Sequence, residues 1–424
     1  MRGSYKHLLR MGKRLCAVFL SLTLVLALTA CGFSKKADGQ IGAKESSTEF
    51  AQRDPEKLDD ITMEGLTGEL IKEMTLKEKV GQLFMLSTDN LDYNAETAMT
   101  ETMKENITKY KPGGVIMFSF NIKNRQQTMD FIQAMQKQSE IPMLIGVDEE
   151  GGKVARIGNT DSMGTTKFPP MAVIGKTGDK KEAYKVGKTI GKEIGELGFN
   201  VDFAPVADIT TNENNTEIGE RSFGSDKELV SKMVAAEVKG LESQNVSATL
   251  KHFPGQGDLE EDTHRGYANL GKTIDLLRKT EFAPFRSGID AGADFVMVSH
   301  ASVKNVTESH NPSSLSHLIV SDILRDELNF DGVIITDAMN MKSITKFYDA
   351  DEAAVKAVKA GNDIVLMPDD FPMAYQGILD AVKEGELSED EIDKAVQHIL
   401  TVKIRRGMIP LSSQLFSVNR SEKK

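Results

Sequence analysis

One stretch of the chain concentrates side chains able to do chemistry. Lys251-His252-Phe253-Pro254-Gly255-Gln256-Gly257-Asp258 follows an apolar run, 246–250, that reads as a buried strand, and it continues to Asp262-Thr263-His264. Pro fixes φ and Gly tolerates positive φ, so Pro254, Gly255 and Gly257 open a loop. The strand ends on a cation and an imidazole. The loop ends on an acid two residues before a second imidazole. A carboxylate so placed can fix the tautomer of His264 and raise its basicity, which suits proton transfer. The same Asp-x-His pattern also occurs in solvated turns, so the decision falls to the elements that position it.

Eight runs rich in Val, Ile, Leu, Phe and Met recur along the chain: 81–86, 114–118, 143–147, 201–205, 246–250, 294–298, 332–336 and 363–367. Continuous apolar runs of this length suit strands buried on both faces of a parallel sheet. Amphipathic stretches lie between them, and 180–197 and 318–328 carry apolar residues at helical spacing. Strand and helix alternating eight times predict an α/β fold, a (β/α)8 TIM-type barrel with a single catalytic domain. An open doubly wound sheet, or two such lobes, is the alternative. In a barrel the C-terminal strand ends carry the active site. Those ends read Asp148-Glu149-Glu150-Gly151-Gly152, Asp208, Lys251-His252, Ser299-His300 and Asp337. The N-terminal ends (Gly113, Pro142, Asn200, Asp294, Asp331, Asn362) are less distinctive. Some rim groups have structural readings: His300 as a strand cap, Asp208 as a loop holder. Buried without partners they would cost several kcal/mol, so they should be paired or face a ligand.

The N-terminus carries Arg2, Lys6, Arg10, Lys13 and Arg14 and no acid, then an apolar run ending Leu28-Thr29-Ala30-Cys31. Residues 1–30 read as a signal peptide. The ending resembles a bacterial lipobox, which implies cleavage before Cys31 and a diacylglyceryl group on its sulfur. An ordinary secretory peptide and an uncleaved anchor are the alternatives. Residues 31–60, polar and charged, read as a tether, 61–410 as the barrel, and 411–424 as a tail. The expectation is an extracytoplasmic protein held at the cell membrane by its lipid alone. Only Cys31 of the two cysteines would remain, so no intrachain disulfide could form, and the fold must rest on its core. Loss of the five basic residues takes the net charge from −11 to −16, which argues against nucleic acid or a polyanionic polymer as a bulk electrostatic partner.

Several motifs together resemble glycoside hydrolase family 3, and within it the NagZ-type β-N-acetylglucosaminidases. They are Gly146-Val147-Asp148 with Glu150-Gly151-Gly152 and Arg156, Phe203-Ala204-Pro205-Val206-Ala207-Asp208, Gly219-Glu220-Arg221-Ser222-Phe223-Gly224, Lys251-His252-Phe253-Pro254-Gly255, Asp262-Thr263-His264 and Ile334-Ile335-Thr336-Asp337-Ala338-Met339. They run in family order over roughly the whole barrel. The family's second α/β domain is not expected. The resemblance implies that Asp337 is the nucleophile, His264 the general acid/base and Asp262 its paired carboxylate. It implies that Asp148, Arg156, Arg221, Lys251 and His252 hold the hydroxyls of the non-reducing sugar. Three residues depart from the family pattern: Gln256 replaces a usual His, and Glu149 and Lys153 replace a usual Gln and Arg. They bear on the loop's hydrogen bonding and the rim of the sugar pocket.

The expected activity is exo-hydrolysis, with retention, of terminal β-linked N-acetylglucosamine from wall-derived glycans or muropeptides, without a cofactor. Glycosidic cleavage needs one group at C1 and another to protonate the departing oxygen, tasks that suit Asp337 and His264. A neutral base also tolerates an anionic acceptor, so phosphorolysis is the alternative reaction, and β-glucosidase action an alternative specificity. A metal site built on Asp262, His264 and His252 is disfavoured, since no His-x-x-x-His or Cys cluster occurs and Lys251 would oppose a cation. A non-catalytic sugar-binding lipoprotein is the reading from another class; it would need no nucleophile and acid/base together.

Overall fold

The computed structural model describes residues 60–410; the signal segment, Cys31, all but the last tether residue and the tail lie outside the described residues. All eight apolar runs form strands of one parallel sheet. They are β1 Phe84–Ser87, β2 Gly114–Met117, β3 Leu144–Val147, β6 Val201–Asp202, β7 Ser247–Phe253, β8 Phe295–Val298, β9 Val333–Thr336 and β10 Val365–Leu366. Between β3 and β6, β4 Glu149–Gly151 and β5 Val154–Ala155 make a separate antiparallel hairpin. The sheet runs β10-β1-β2-β3-β6-β7-β8-β9. A parallel bridge from Ile335 to Ile364, with Thr336 N donating to Ile364 O at 3.0 Å, brings its two ends together. The sheet is therefore a (β/α)8 barrel, and the open-sheet and two-lobe alternatives fall.

Every regular strand residue of the barrel is buried, as apolar runs without polar alternation require. Inside, the wall is packed closely enough to dictate residue size. A Cβ on Gly146 of β3 would lie 2.6 Å from Met85 Cε and 2.8 Å from Phe203 Cε2. Outside, helix Lys180–Gly195 turns Ala183, Val186, Ile190 and Ile194 inward at three- and four-residue spacing. Asp179 caps it by accepting from Lys181 N. The stretch 318–328 is also helical, as a π-type helix over Leu318–Glu327. Among the described residues no helix is long and apolar enough to cross a membrane.

Two expectations need correction. Lys251 and His252 do not follow the fifth strand; β7 extends through Phe253 and contains both. The barrel wall itself, more rigid than a loop, therefore fixes these two side chains. The N-terminal rim is also more than featureless. Asp294 accepts from Ser247 Oγ at 2.7 Å and Arg406 Nε at 2.6 Å, and Asp363 pairs with Arg325 and His398. Such pairing is what allows carboxylates to be buried there.

Candidate active site

The C-terminal rim surrounds a pocket of about 470 Å³. Its lining includes all eight residues singled out from the sequence: Asp148, Arg156, Arg221, Lys251, His252, Asp262, His264 and Asp337.

One side is a network of buried ion pairs. Lys251 Nζ lies 2.9 Å from Asp148 Oδ1 and 2.6 Å from Glu150 Oε1. Arg221 forks onto Glu150, Nε to Oε2 at 2.8 Å and Nη2 to Oε1 at 2.7 Å. Arg156 reaches Asp148 Oδ2 at 3.2 Å, with its guanidinium carbon 5.6 Å from the Phe118 ring centroid. Burial pushes the Asp148 and Glu150 carboxyls up, but the facing cations outweigh it. Lys251 and Arg156 hold Asp148, and Arg221 and Lys251 hold Glu150, below the ordinary carboxylate value. Burial pushes Lys251 down, and Asp148 and Glu150 reverse that, so its ammonium stays charged. Glu150, quoted in the sequence only as part of a motif, is thus the common counter-ion of Arg221 and Lys251.

Asp208 is the loop holder that was one of its readings. Its Oδ2 accepts from His252 N at 3.2 Å and faces His252 Nδ1 at 2.7 Å, and its Oδ1 accepts from Gln256 N at 2.7 Å. His252 Nε2 lies 3.5 Å from Arg221 Nη2. His300 does not line the pocket. Its Nε2 donates to Ala338 O at 3.0 Å and its Nδ1 accepts from Ser314 Oγ at 2.8 Å, steadying the backbone beside Asp337. Burial pushes the His300 ring down, consistent with this neutral form.

The same pocket holds the nucleophile candidate and the loop pair. Asp337 follows β9 directly. Its N donates to Val298 O at 2.9 Å, and its Oδ1 accepts from Ala338 N at 2.7 Å. His264 Nδ1 lies 3.0 Å from Asp262 Oδ1, which also accepts from His264 N at 2.9 Å. Gly257 permits the loop's close passage, since a Cβ there would sit 2.0 Å from Ile209 O. A second carboxylate, absent from the sequence reading, meets the same ring: Glu217 Oε1 lies 3.3 Å from His264 Nδ1. Only its position between Asp208 and the motif at 219–224 could have flagged it.

The departures from the family pattern resolve differently. Glu149 is buried and does not line the pocket; its carboxylate accepts from Ile157 N at 2.7 Å and Gly158 N at 2.8 Å, closing the hairpin that carries Arg156. Burial pushes it up to about 7. Lys153 does line the pocket. Gln256 is buried, and its side-chain amide makes no hydrogen bond within the described residues.

Glu217, Asp262 and His264 are the described acidic and imidazole side chains whose ligating atoms converge, within 4.8 Å. Protein donors already occupy these oxygens: Thr263 N and Oγ1 on Glu217, His264 N and Arg265 Nε on Asp262. Hydrogen bonding accounts for the cluster, and no step below is routed through a metal.

Fold and site together define a (β/α)8 barrel whose C-terminal mouth joins a buried polar pocket to a carboxylate at one strand end and a carboxylate-backed imidazole on a loop. Residues 75–402 match the glycosyl hydrolase family 3 N terminal domain, and the chain belongs to that family. It is similar to "Beta-hexosaminidase A" of Pseudoalteromonas piscicida, 32% identical over 77% of this chain and 58% of that one. It is similar to "Beta-hexosaminidase" of Stenotrophomonas maltophilia, 34% identical over 64% of this chain and 81% of the relative. Among solved structures it resembles a glycoside hydrolase family 3 beta-N-acetylglucosaminidase from a Paenibacillus species, with TM-score 0.74 and 36% identity, covering 79% of this chain and 63% of that one. The chain thus spans less than two thirds of the length of some of these relatives.

Proposed function

We propose that the chain removes terminal non-reducing β-linked N-acetylglucosamine by retaining hydrolysis, with Asp337 as nucleophile and His264 as acid/base. The observation that carries this reading is the shared pocket of Asp337 and His264, the imidazole being held by its Nδ1. That hydrogen bond leaves Nε2 to exchange a proton with the substrate. In the first step a carboxylate oxygen of Asp337 attacks C1. The C1–O bond breaks, its electron pair goes to the leaving oxygen, and the His264 imidazolium supplies the proton. In the second step a water oxygen attacks C1. Neutral His264 takes its proton, and the pair of the ester bond returns to Asp337. Two inversions give net retention.

The likeness to beta-hexosaminidases and to a beta-N-acetylglucosaminidase supports the choice of sugar. The cation–carboxylate network is the feature suited to holding sugar hydroxyls in a dry pocket. The lipobox-like 28–31 motif extends the proposal to a wall-derived glycan or muropeptide met outside the cytoplasm by a lipid-anchored protein.

The test of mechanism is His264→Ala. On a dinitrophenyl glycoside, which needs no acid, it should still form the glycosyl-enzyme, give a burst and stall. Mass spectrometry should place the adduct on Asp337. Azide, which needs no base, should restore turnover and yield the β-glycosyl azide. Poor leaving groups should lose about 10²–10⁴-fold in rate. Wild-type rates on such substrates, or an adduct on another residue, would sink the mechanism. The test of location is Cys31→Ser, which should abolish labelling by a fatty-acid analogue and release activity to the soluble fraction. Persistent labelling without Cys31 refutes the anchor.

A further inference from the structure

We propose that Glu217 is a positioning residue that ties the acid/base loop to the barrel and shares His264 Nδ1 with Asp262, so that the imidazole is backed by two carboxylates. The proposal rests on the reading of His264 as acid/base. Asp262 is only two residues from His264, so its contacts with the ring and with His264 N shape the turn locally. They do not fix where that turn sits over the pocket. Glu217 comes from the loop after β6 and reaches the turn across 46 residues of sequence. Its Oε2 accepts from Thr263 N at 3.0 Å and its Oε1 from Thr263 Oγ1 at 2.7 Å, with Thr263 fully buried.

Glu217 is the last rung of a ladder between the two loops. Earlier rungs are Thr211 Oγ1 to Asp258 Oδ1 at 2.6 Å, Asn215 Nδ2 to Gln256 O at 2.7 Å, and Asn212 Nδ2 to Leu259 O at 3.1 Å. Those bonds hold the start of the acid/base loop, and Glu217 alone in this set touches the residue next to His264 and the ring itself. Its own main-chain oxygen accepts from Arg221 Nη1 at 3.2 Å. One residue therefore links the imidazole's position to a cation of the sugar pocket. The Glu217 side chain is 8% exposed and that of His264 62%, so the carboxylate is the fixed partner and the ring the one being placed.

Charge follows geometry. Around His264 stand Asp262 from its own turn, with Arg265 on its other oxygen at 3.2 Å, Glu217 from the β6 loop, Asp337 after β9 and His300 after β8; Arg221 and His252 stand beside Glu217. The Glu217 carboxylate, as the acceptor facing Nδ1, leads in pushing the His264 ring up to about 9, against burial and with help from Asp337 and Asp262. The carboxylates around the ring favour its imidazolium form. That form is ready as the acid of the first step and is the wrong form for the base of the second. Removing the Glu217 charge should move the two half-reactions in opposite directions, which loss of packing alone would not do.

The experiment compares the full chain with Glu217→Gln, Glu217→Ser as a second neutral variant, and Glu217→Asp, which keeps the charge. A chelator is present throughout. The His264 ring is titrated by NMR, assigned by its loss in His264→Ala. In the neutral variants its midpoint should fall by about one pH unit or more, and in Glu217→Asp it should stay near the wild-type value. The basic limb of kcat/KM on a nitrophenyl N-acetyl-β-glucosaminide should shift to lower pH with it. On a dinitrophenyl glycoside at pH 7, where the second step limits, kcat should rise about three- to tenfold as more neutral base becomes available. An unchanged imidazole titration in both neutral variants overturns the proposal, whatever the activity. So does an equal fall of kcat on both substrates with no shift of the limb. A shifted titration in a chain that turns over no glycoside would leave the Glu217–His264 coupling standing and refute the glycosidase reading instead.

Discussion

At the N-terminal end of the barrel, Asp363 accepts from Arg325 Nη2 at 2.7 Å, Ile334 N at 2.7 Å and, on its other oxygen, faces His398 Nδ1 at 2.8 Å. Arg325 Nη1 donates to Gly332 O at 2.7 Å and to Phe330 O. At the C-terminal end, Lys251 sits between Asp148 and Glu150, and Glu150 takes the fork of Arg221. Both ends are carboxylates and cations, buried and paired. The difference is the pocket of about 470 Å³ that opens among the second set, with an exposed imidazole in its lining. Clustered charge at a rim is therefore a weak sign of a site, because a barrel must also satisfy the ends of its strands and helices. Charge that remains available to a concavity is the stronger sign.

That contrast can be broken by variants that separate activity from stability. Asp337→Ala has the largest expected effect. It should cut kcat by about 10⁴-fold or more, as loss of a nucleophile does, while the urea midpoint stays close to wild type. Residual turnover within tenfold of wild type would remove Asp337 from the chemistry. Lys251→Met should be mixed. Two carboxylates lose their shared cation, so stability should fall by about 3–5 kcal/mol. At a temperature where the variant is folded, kcat/KM should fall by about 10²-fold or more, because the proposed polar contact to the sugar is lost. Unchanged kinetics in a folded variant would make Lys251 structural, like the groups at the other end.

Asp363→Asn sharpens the contrast from the opposite side. Removing that charge leaves Arg325 buried without a carboxylate and should cost about 3–5 kcal/mol, read from urea unfolding, with kcat/KM within about twofold of wild type because the reacting groups are untouched. Burial raises the Asp363 pKa, but His398 and Arg325 outweigh it and set the folded value below the ordinary carboxylate one. A depressed folded value stabilises above the unfolded pKa of about 3.9 and loses that contribution as pH falls through the folded value. The deficit of the variant should thus be present at about pH 5 and close only below about pH 4. A large loss of activity without loss of stability would show that the N-terminal rim is coupled to the pocket.

Much of the site was legible in the sequence because strand ends in a parallel barrel fall at predictable places. Asp148 and Asp337 each sit one residue beyond a run of buried apolar residues, so position alone placed them on the C-terminal rim. His264 was legible as a motif, two residues from Asp262. Glu217 was not. Its meaning lies in a contact across 46 residues, and its neighbours in sequence carry no pattern that aims it at an imidazole. Glu150 lay in view within Asp148-Glu149-Glu150, yet the adjacent Glu149 faces a hairpin and Glu150 faces two cations. Adjacent acids of one type cannot be told apart before the strand alternates them to opposite sides.

The sequence by itself determined the number and order of the strands, their burial on both faces and the identity of the eight pocket residues. The strands follow from hydrophobic periodicity, and the pocket residues from strand-end positions together with motifs that resemble those of the family. Tertiary structure alone decided that the sheet closes through Ile335 and Ile364, that Asp208 holds His252 and Gln256, and that Glu217 stands behind His264. Closure and pairing depend on distances between segments far apart in the chain, and local periodicity carries no information about which of several acids will reach which cation.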